Sequence, residues 1–326
     1  MRRHPGRRGA SARAYFIAVR ANFRQRLERT VMPISRLVTV VIPCYNNGSF
    51  LHDAIQSVLS QTYQRTELIV VDDGSSDDTS DVASSYPVTR VIRQKNQGVS
   101  AARNAGLAQS RGDYVVFLDA DDRLLPDAVD VGVRCLESHP ACAFASGHVR
   151  LAAQDGSILR VPEEPRIEKD HYQTLLKYCY IWTPSAVMFR TTILKSVGGF
   201  TITLSGAADW DLYLRLSRRL AVFCHPHLVA EYRLHDKSMS TNSAMMLTDC
   251  LAALRAQRGS FKGLKPCEEA YRIGVNGVQR FYGDPLVEKV KRHVRASEWI
   301  QALIGALVLL RYYPARLVRR SSLLPS

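Results

Sequence analysis

Between Leu37 and Asp122 short apolar runs alternate with longer stretches in which apolar residues return every three or four positions. Runs of four to six β-branched and aromatic residues bounded by polar turns are strands, and the 3.6-residue recurrence is the mark of a helix. The spacing predicts strands over Leu37–Ile42, Leu68–Val71, Val88–Ile92 and Tyr114–Leu118. It predicts helices from about Ser49, with Leu51, Ala54, Ile55, Val58 and Leu59 on one face, from about Ser76, and over Val99–Ala108. Ser49 is the expected N-cap of the first helix, and Asp77 and Asp78 suit the positive end of the second. Strand and helix repeating in this order predict an α/β chain, a three-layer sandwich around a mostly parallel sheet.

Past Asp122 the alternation loosens. A helix is expected over Pro126–Glu137 and a strand over Ala141–Ser146, while the charged, Pro-containing stretch from Asp155 to Asp170 reads as a surface loop. From Ser243 the sequence is helix-like. Three parts follow: a basic N-terminal extension over residues 1–35, expected to be disordered; an α/β domain over residues 36–242; and a helical C-terminal region over residues 243–326.

Composition changes this picture little, but charge does. The formal net charge is +14, and residues 1–31 carry nine arginines against the single acid Glu28, so more than half of the excess sits there. Such a head suits nucleic acid, anionic lipid or targeting, or it is an unstructured stretch upstream of a second start at Met32. No nucleic-acid partner is expected for the protein as a whole. At the other end, Trp299–Leu310 is apolar apart from Gln301 and is followed by Arg311, Arg316, Arg319 and Arg320. Twelve residues are too few to span a bilayer. The segment fits a helix lying in the headgroup zone, and it equally fits a helix packed on the catalytic domain. Seven cysteines, odd in number and without a CxxC pair, point to reduced, core-filling thiols and a cytosolic setting.

The chemistry gathers where strands end. Val70 and Val71 run into Asp72-Asp73-Gly74-Ser75, and Phe117 and Leu118 into Asp119-Ala120-Asp121-Asp122. In a parallel α/β sheet, ligands bind at the carboxyl ends of the strands, so both acid groups are expected at one crevice. Gathered carboxylates repel unless a cation or hydrogen-bond donors offset them. That suits a divalent metal and the hydroxyls of a ribose, and so a metal-bound nucleoside diphosphate.

Six ordered segments extend this reading. Val41-Ile42-Pro43-Cys44-Tyr45-Asn46, Val71 to Ser75, Asn96 to Asn104, Phe117 to Asp122, Gly198-Gly199-Phe200 with Asp209-Trp210-Asp211-Leu212, and Tyr232-Arg233-Leu234-His235 with Ser238 and Ser240 resemble the inverting family 2 glycosyltransferases of GT-A fold. The resemblance runs from Val38 to about Asn242. It implies transfer of a sugar from a nucleoside diphosphate donor, a UDP-sugar first, to a saccharide or lipid-linked acceptor hydroxyl in cell-surface polysaccharide or glycolipid assembly. It also implies a Mn or Mg ion and a place in the cytoplasm, peripheral on the cytoplasmic face of the membrane.

By that resemblance, Pro43, Tyr45 and Asn46 contact the nucleotide, Arg103 lies on the helix supporting the donor, and His235 closes over the diphosphate as a metal ligand or hydrogen-bond donor. An ionised Asp73 would accept from the nucleobase and Asp119 from a ribose hydroxyl, while Asp121 would hold the metal. Asp72 reads instead as turn chemistry and Asp122 as a loop-ordering residue. Asp209 is the candidate general base that takes the acceptor proton, with Asp211 as the fallback. The family usually carries Glu before this aspartate, where this chain has Ala208. Trp182 and Trp210 would line the acceptor side, or belong to the core. His225 and His227 are expected to be structural.

Other readings are weighed against this one. No GxGxxG follows the first strand and no GxxxxGK[ST] is present, which removes dinucleotide oxidoreductases and P-loop enzymes. A sugar nucleotidyltransferase, and a nucleotide-sugar binder impaired by the change at Ala208, remain as alternatives.

Overall fold

The computed structural model describes residues 36–163, 167–236 and 238–314. The described residues from Leu37 onward form one compact unit. The expectations for the basic head, and for Arg316, Arg319 and Arg320, fall outside the described residues.

The strands are β1 (Val38–Cys44), β2 (Thr66–Asp72), β3 (Thr89–Arg93), β4 (Tyr114–Phe117), β5 (Arg123–Leu124), β6 (Cys142–Ala153), β7 (Ile158–Arg160), β8 (Val187–Arg190) and β9 (Ala221–Leu234). The helices are α1 (Gly48–Leu59), α2 (Thr79–Ser84), α3 (Val99–Gln109), α4 (Ala128–Ser138), α5 (His171–Lys177), α6 (Thr191–Ser196), α7 (Ala208–Ser217), α8 (Ser243–Gln257), α9 (Lys265–Arg295) and α10 (Trp299–Tyr312).

The strands form one sheet in the order β3-β2-β1-β4-β8-β6-β9-β5, with β7 paired to β6. Strands β3, β2, β1 and β4 are mutually parallel, as the alternation of strand and helix requires. Beyond β4 the sheet is mixed: β8 runs antiparallel to β4 and β6, whereas β6 and β9 pair in parallel. Every residue of β1 and β4 is buried, which is why these segments are continuous apolar runs rather than alternating ones. Val41 lies opposite Ile69 on one side and Phe117 on the other, so the carboxyl ends of β1, β2 and β4 stand level.

Local expectations meet two corrections. Asn47, not Ser49, is the N-cap of α1, and its side chain makes no cap hydrogen bond. The free Gly48 N–H is taken by Asp77 Oδ2 at 3.1 Å from the next connection, so a tertiary contact does the work of a cap. The stretch from Asp155 to Asp170 is mostly loop but carries the exposed strand β7.

The C-terminal helices share one core with the sheet and its helices. Leu247, Cys250, Leu251 and Leu254 of α8, Ala270 and Val278 of α9 and Leu309 of α10 join Val41, Phe117, Phe189 and Tyr213 in a continuous apolar cluster. A Cβ on Gly274 of α9 would lie 2.0 Å from the Leu176 carbonyl oxygen, so the missing side chain is what lets α9 approach α5. No disulfide links the seven cysteines, and burial raises the thiol pKa of Cys44 to about 12. They fill space, as their spacing suggests.

Candidate active site

The level ends of β1, β2 and β4 bring the two acid groups to one edge of the sheet, and β9 delivers His235 to the same place. His235 Nε2 lies 2.8 Å from Asp121 Oδ2. The imidazole is nearly buried, its side chain 4% exposed, and is stacked on Phe50 of α1 at 4.9 Å between ring centroids. The Arg233 guanidinium covers the same phenyl ring at 5.2 Å and is tied to Asp53 at 2.9 Å. Phe50 thus packs against both Arg233, near the end of β9, and His235, the residue just past it.

Asp122 orders this corner from beneath. It is 1% exposed; Oδ2 accepts from the hydroxyls of Thr183 and Ser185, both at 2.8 Å, and Oδ1 from the Arg233 N–H at 3.1 Å. Three chain segments far apart in sequence are joined through one carboxyl group. Burial first, then Asp121 and Asp119 beside it, push its pKa well up.

A second cluster adjoins the first. Arg103 of α3 donates to Asp119 Oδ1 at 2.6 Å and lies over the Phe200 ring. Burial opposes its charge, yet Asp119 and then Asp209 hold the guanidinium above its ordinary pKa. Burial raises the pKa of Asp119, and Asp121 adds to this, while Arg103 pulls it back. Burial likewise raises that of Asp209, against the pull of Arg103. Asp209 stands in the first turn of α7, where the helix dipole favours an anion, and accepts from the Trp210 N–H at 2.8 Å. Arg103 therefore links the acids of β4 electrostatically to the candidate base. The hydroxyl of Tyr213, one turn along α7, is buried without a hydrogen-bond partner and senses Asp209 and Arg103.

Other expected residues divide. Tyr45, 47% exposed, and Asn46 stand at the end of β1, with Pro43 buried behind them. Asn46 takes a left-handed φ of 52°, a conformation asparagine tolerates, and its side chain accepts from the Ser76 N–H at 2.8 Å. Trp182 is 41% exposed and tilted against Tyr232, leaving a face open. Asp72 behaves as turn chemistry: it is fully buried and caps the turn by accepting from Ser75 N–H at 2.8 Å.

Three expected site residues have other partners. Asp73 is 2% exposed rather than free for a nucleobase. Its oxygens accept from the Gln94 side chain at 2.7 Å and from the N–H groups of Gln97 and Gly98 at 2.9 and 2.8 Å, stapling β2 to the entry of α3. The close approach needs Gly74, whose φ is +80° and whose added Cβ would lie 2.8 Å from Asn96 N. Asp211 faces away from Asp209, bonded to Arg215 at 2.8 Å and Thr201 at 2.7 Å, because successive helix positions turn by about 100°. Trp210 is core, 6% exposed, with its indole N–H on the Leu175 carbonyl at 2.9 Å. His225, expected to be structural, is buried, and burial followed by His227 lowers its pKa to about 4.

Reasoning from sequence missed Phe50, Thr183, Ser185, Tyr213 and Asp249. Phe50 reads as one more apolar position of α1, and no spacing ties a Thr-Pro-Ser segment to an acid sixty residues earlier.

The family described as “Glycosyl transferase family 2” matches residues 39–198. The Escherichia coli UDP-Glc:alpha-D-GlcNAc-diphosphoundecaprenol beta-1,3-glucosyltransferase WfaP is 30% identical over 210 residues, 63% of this chain and 80% of that protein. The chain belongs to the family 2 glycosyltransferases. Membership does not favour the nucleotidyltransferase and impaired-binder readings. The chondroitin synthase of Escherichia coli is 30% identical over 227 residues, 67% of this glycosyltransferase, which spans about a third of that longer protein (32%). The mannosyltransferase PcManGT from Pyrobaculum calidifontis, solved with GDP-Man and Mn2+, has the same GT-A-like fold, with a TM-score of 0.56, 17% identity, and coverage of 91% of this chain and 94% of that one.

Proposed function

We propose that this glycosyltransferase moves a sugar, with inversion, from a nucleoside diphosphate sugar bound at the ends of β1, β2 and β4 to a hydroxyl of a saccharide or lipid-linked acceptor. A UDP-sugar is the first candidate donor, and the cytoplasmic face of a membrane is the proposed place. The observation that carries the reading is the meeting of Asp121 with His235 beside the chain from Asp119 through Arg103 to Asp209.

Tyr45 and Asn46 border the nucleotide, and Asp119 is a quarter exposed, open to a ribose hydroxyl while Arg103 balances its charge. Asp73 acts from behind, shaping the loop rather than touching the base. Asp121 and His235 together offer one carboxylate and one imidazole, a donor set that fits Mn2+ or Mg2+. Among the described residues no group of three or more such side chains converges, so Asp121 and His235 are the two that would hold the cation. When bound, that cation would neutralise charge on the diphosphate leaving group. Phe50 fixes the plane of His235 so that Nε2 points at Asp121.

Asp209 would take the acceptor proton. Partial burial raises its proton affinity toward that of a useful base, Arg103 opposes part of that rise, and Trp182 offers an exposed face to a sugar ring. The test is a panel of nucleoside diphosphate sugars with and without Mn2+, scored by nucleoside diphosphate release, for the wild type and Asp121→Ala. Metal-stimulated release from one donor, weakened about a hundredfold by the substitution, is expected. Equal release by both proteins would remove this assignment of the metal site.

A further inference from the structure

Two observations outside the site lead further. The first is α10. Trp299, Ile300, Leu303, Ile304, Leu307 and Leu310 are 56% to 73% exposed, and at about 100° per residue they fall within one sector of about 140°. Ala302, Gly305 and Leu309, on the opposite side, are buried. A Cβ on Gly305 would lie 2.5 Å from Val290, so α10 rests directly on α9 and turns its apolar side outward. One face of this segment is packed and the other is exposed. Exposed cations flank the stripe: Arg292 and Arg295 at the end of α9, and Arg311 in the last turn of α10. Glu298, the acid in the connecting turn, is paired with His293. No described helix is long and apolar enough to cross a membrane.

We propose that α10 is a docking helix that lies flat on an anionic lipid surface, its apolar stripe among the acyl chains and Arg292, Arg295 and Arg311 at the phosphates. The occupant is a bilayer because the stripe is bordered by positive charge at both ends, which complements lipid phosphate and opposes a second copy of the same helix. The inference extends the reading of a membrane-borne acceptor. The test is vesicle flotation of the full chain with phosphatidylglycerol-containing and with pure phosphatidylcholine vesicles, beside Ile300→Ser/Leu303→Ser/Ile304→Ser/Leu307→Ser. The wild type is expected to float with anionic vesicles, less so at high salt, and the variant to bind roughly tenfold more weakly or worse with unchanged nucleoside diphosphate release in solution. Equal flotation of both, or no flotation together with a dimer that the variant dissociates, would overturn the proposal. Flotation without turnover of any sugar nucleotide would instead count against the catalytic reading alone.

The second observation is Asp249 of α8. Its Oδ2 accepts from the N–H groups of both Ser205 and Gly206, each at 2.8 Å. A Cβ on Gly206 would lie 2.6 Å from Met246 Sδ, so the loop lies closely on α8. The opposite side of this loop is held by α3, where Ser100 donates to the Leu204 carbonyl at 2.6 Å and Asn104 bonds Phe200 twice. Asp209 follows three residues after Gly206. We infer that Asp249 is a positioning residue that fixes the approach to Asp209 from the C-terminal helices.

This rests on Asp209 as the base, and its test separates the two ideas. Asp249→Ala is expected to lower kcat tenfold to hundredfold, on the order of what a small displacement of a reacting group costs, with donor KM within about twofold. Asp249→Asn, whose amide oxygen can accept the same bonds, should restore most of the rate. Should the alanine variant fail to fold, Gly206→Ala displaces the same loop and is expected to lower kcat in the same way. An unchanged kcat, or loss of kcat with equal loss of donor affinity and no recovery in Asp249→Asn, would overturn it. Full activity of Asp209→Asn would overturn the assignment of the base instead.

Discussion

The two halves of the site are built differently. On the proposed donor side, Asp119 and Asp121 follow β4 directly, and the direction of a parallel strand settles which edge they occupy. On the proposed acceptor side, Asp209, Trp210 and Asp211 sit in consecutive positions of a helix; the second bonds Leu175 and the third Thr201, which leaves the first as the candidate for the site. A strand end presents its acids together, whereas a helix turn sends neighbouring side chains to different surroundings. A short acidic motif therefore reports several site residues in one half and only one in the other.

That contrast is best broken on α7. Asp209→Asn is expected to reduce transfer by 10²- to 10⁴-fold, the usual contribution of a general base, with metal-dependent donor binding retained in calorimetry. Asp211→Asn should act oppositely: activity per folded molecule is nearly preserved, while loss of the buried partner of Arg215 costs about 3 kcal/mol in denaturant unfolding. If the two variants exchanged behaviours, the assignment of faces on α7 would be wrong.

The link between the halves predicts a pH signature. Burial raises the pKa of Asp209 and Arg103 lowers it, so the catalytic carboxylate is lost as pH falls through a value above the ordinary aspartate range. The acid limb of kcat/KM should thus lie above the ordinary aspartate range, and Arg103→Met should move it to higher pH, because the ionised form loses its cation. A limb moving downward in that variant would contradict the pairing. The smallest effect is expected at the rim, where Trp182→Ala should raise acceptor KM a few-fold to about tenfold and leave donor KM alone, as loss of one aromatic stacking surface implies.

Legibility followed the same division. The parallel strands and the helices between them could be read because both faces of β1 and β4 are buried, which forces unbroken apolar runs. Strands β8 and β9 could not be placed in the sheet from sequence, since their antiparallel and parallel partners lie tens of residues away. Asp73 illustrates the limit within a motif: an aspartate at a strand end can face a ligand or staple a loop, and three donors from the entry to α3 decided for the staple.

By itself the sequence determined the chemistry on offer: acids following buried strands, a histidine in a polar segment, an aspartate opening a helix, and an apolar stripe edged with arginine. Period and residue type are properties of neighbours along the chain. Tertiary structure decided which groups meet, because hydrogen bonds and burial depend on residues remote in sequence. Only there does Phe50 seat His235 against Asp121, Arg103 join Asp119 to Asp209, and Asp249 grip the loop from the far end of the chain.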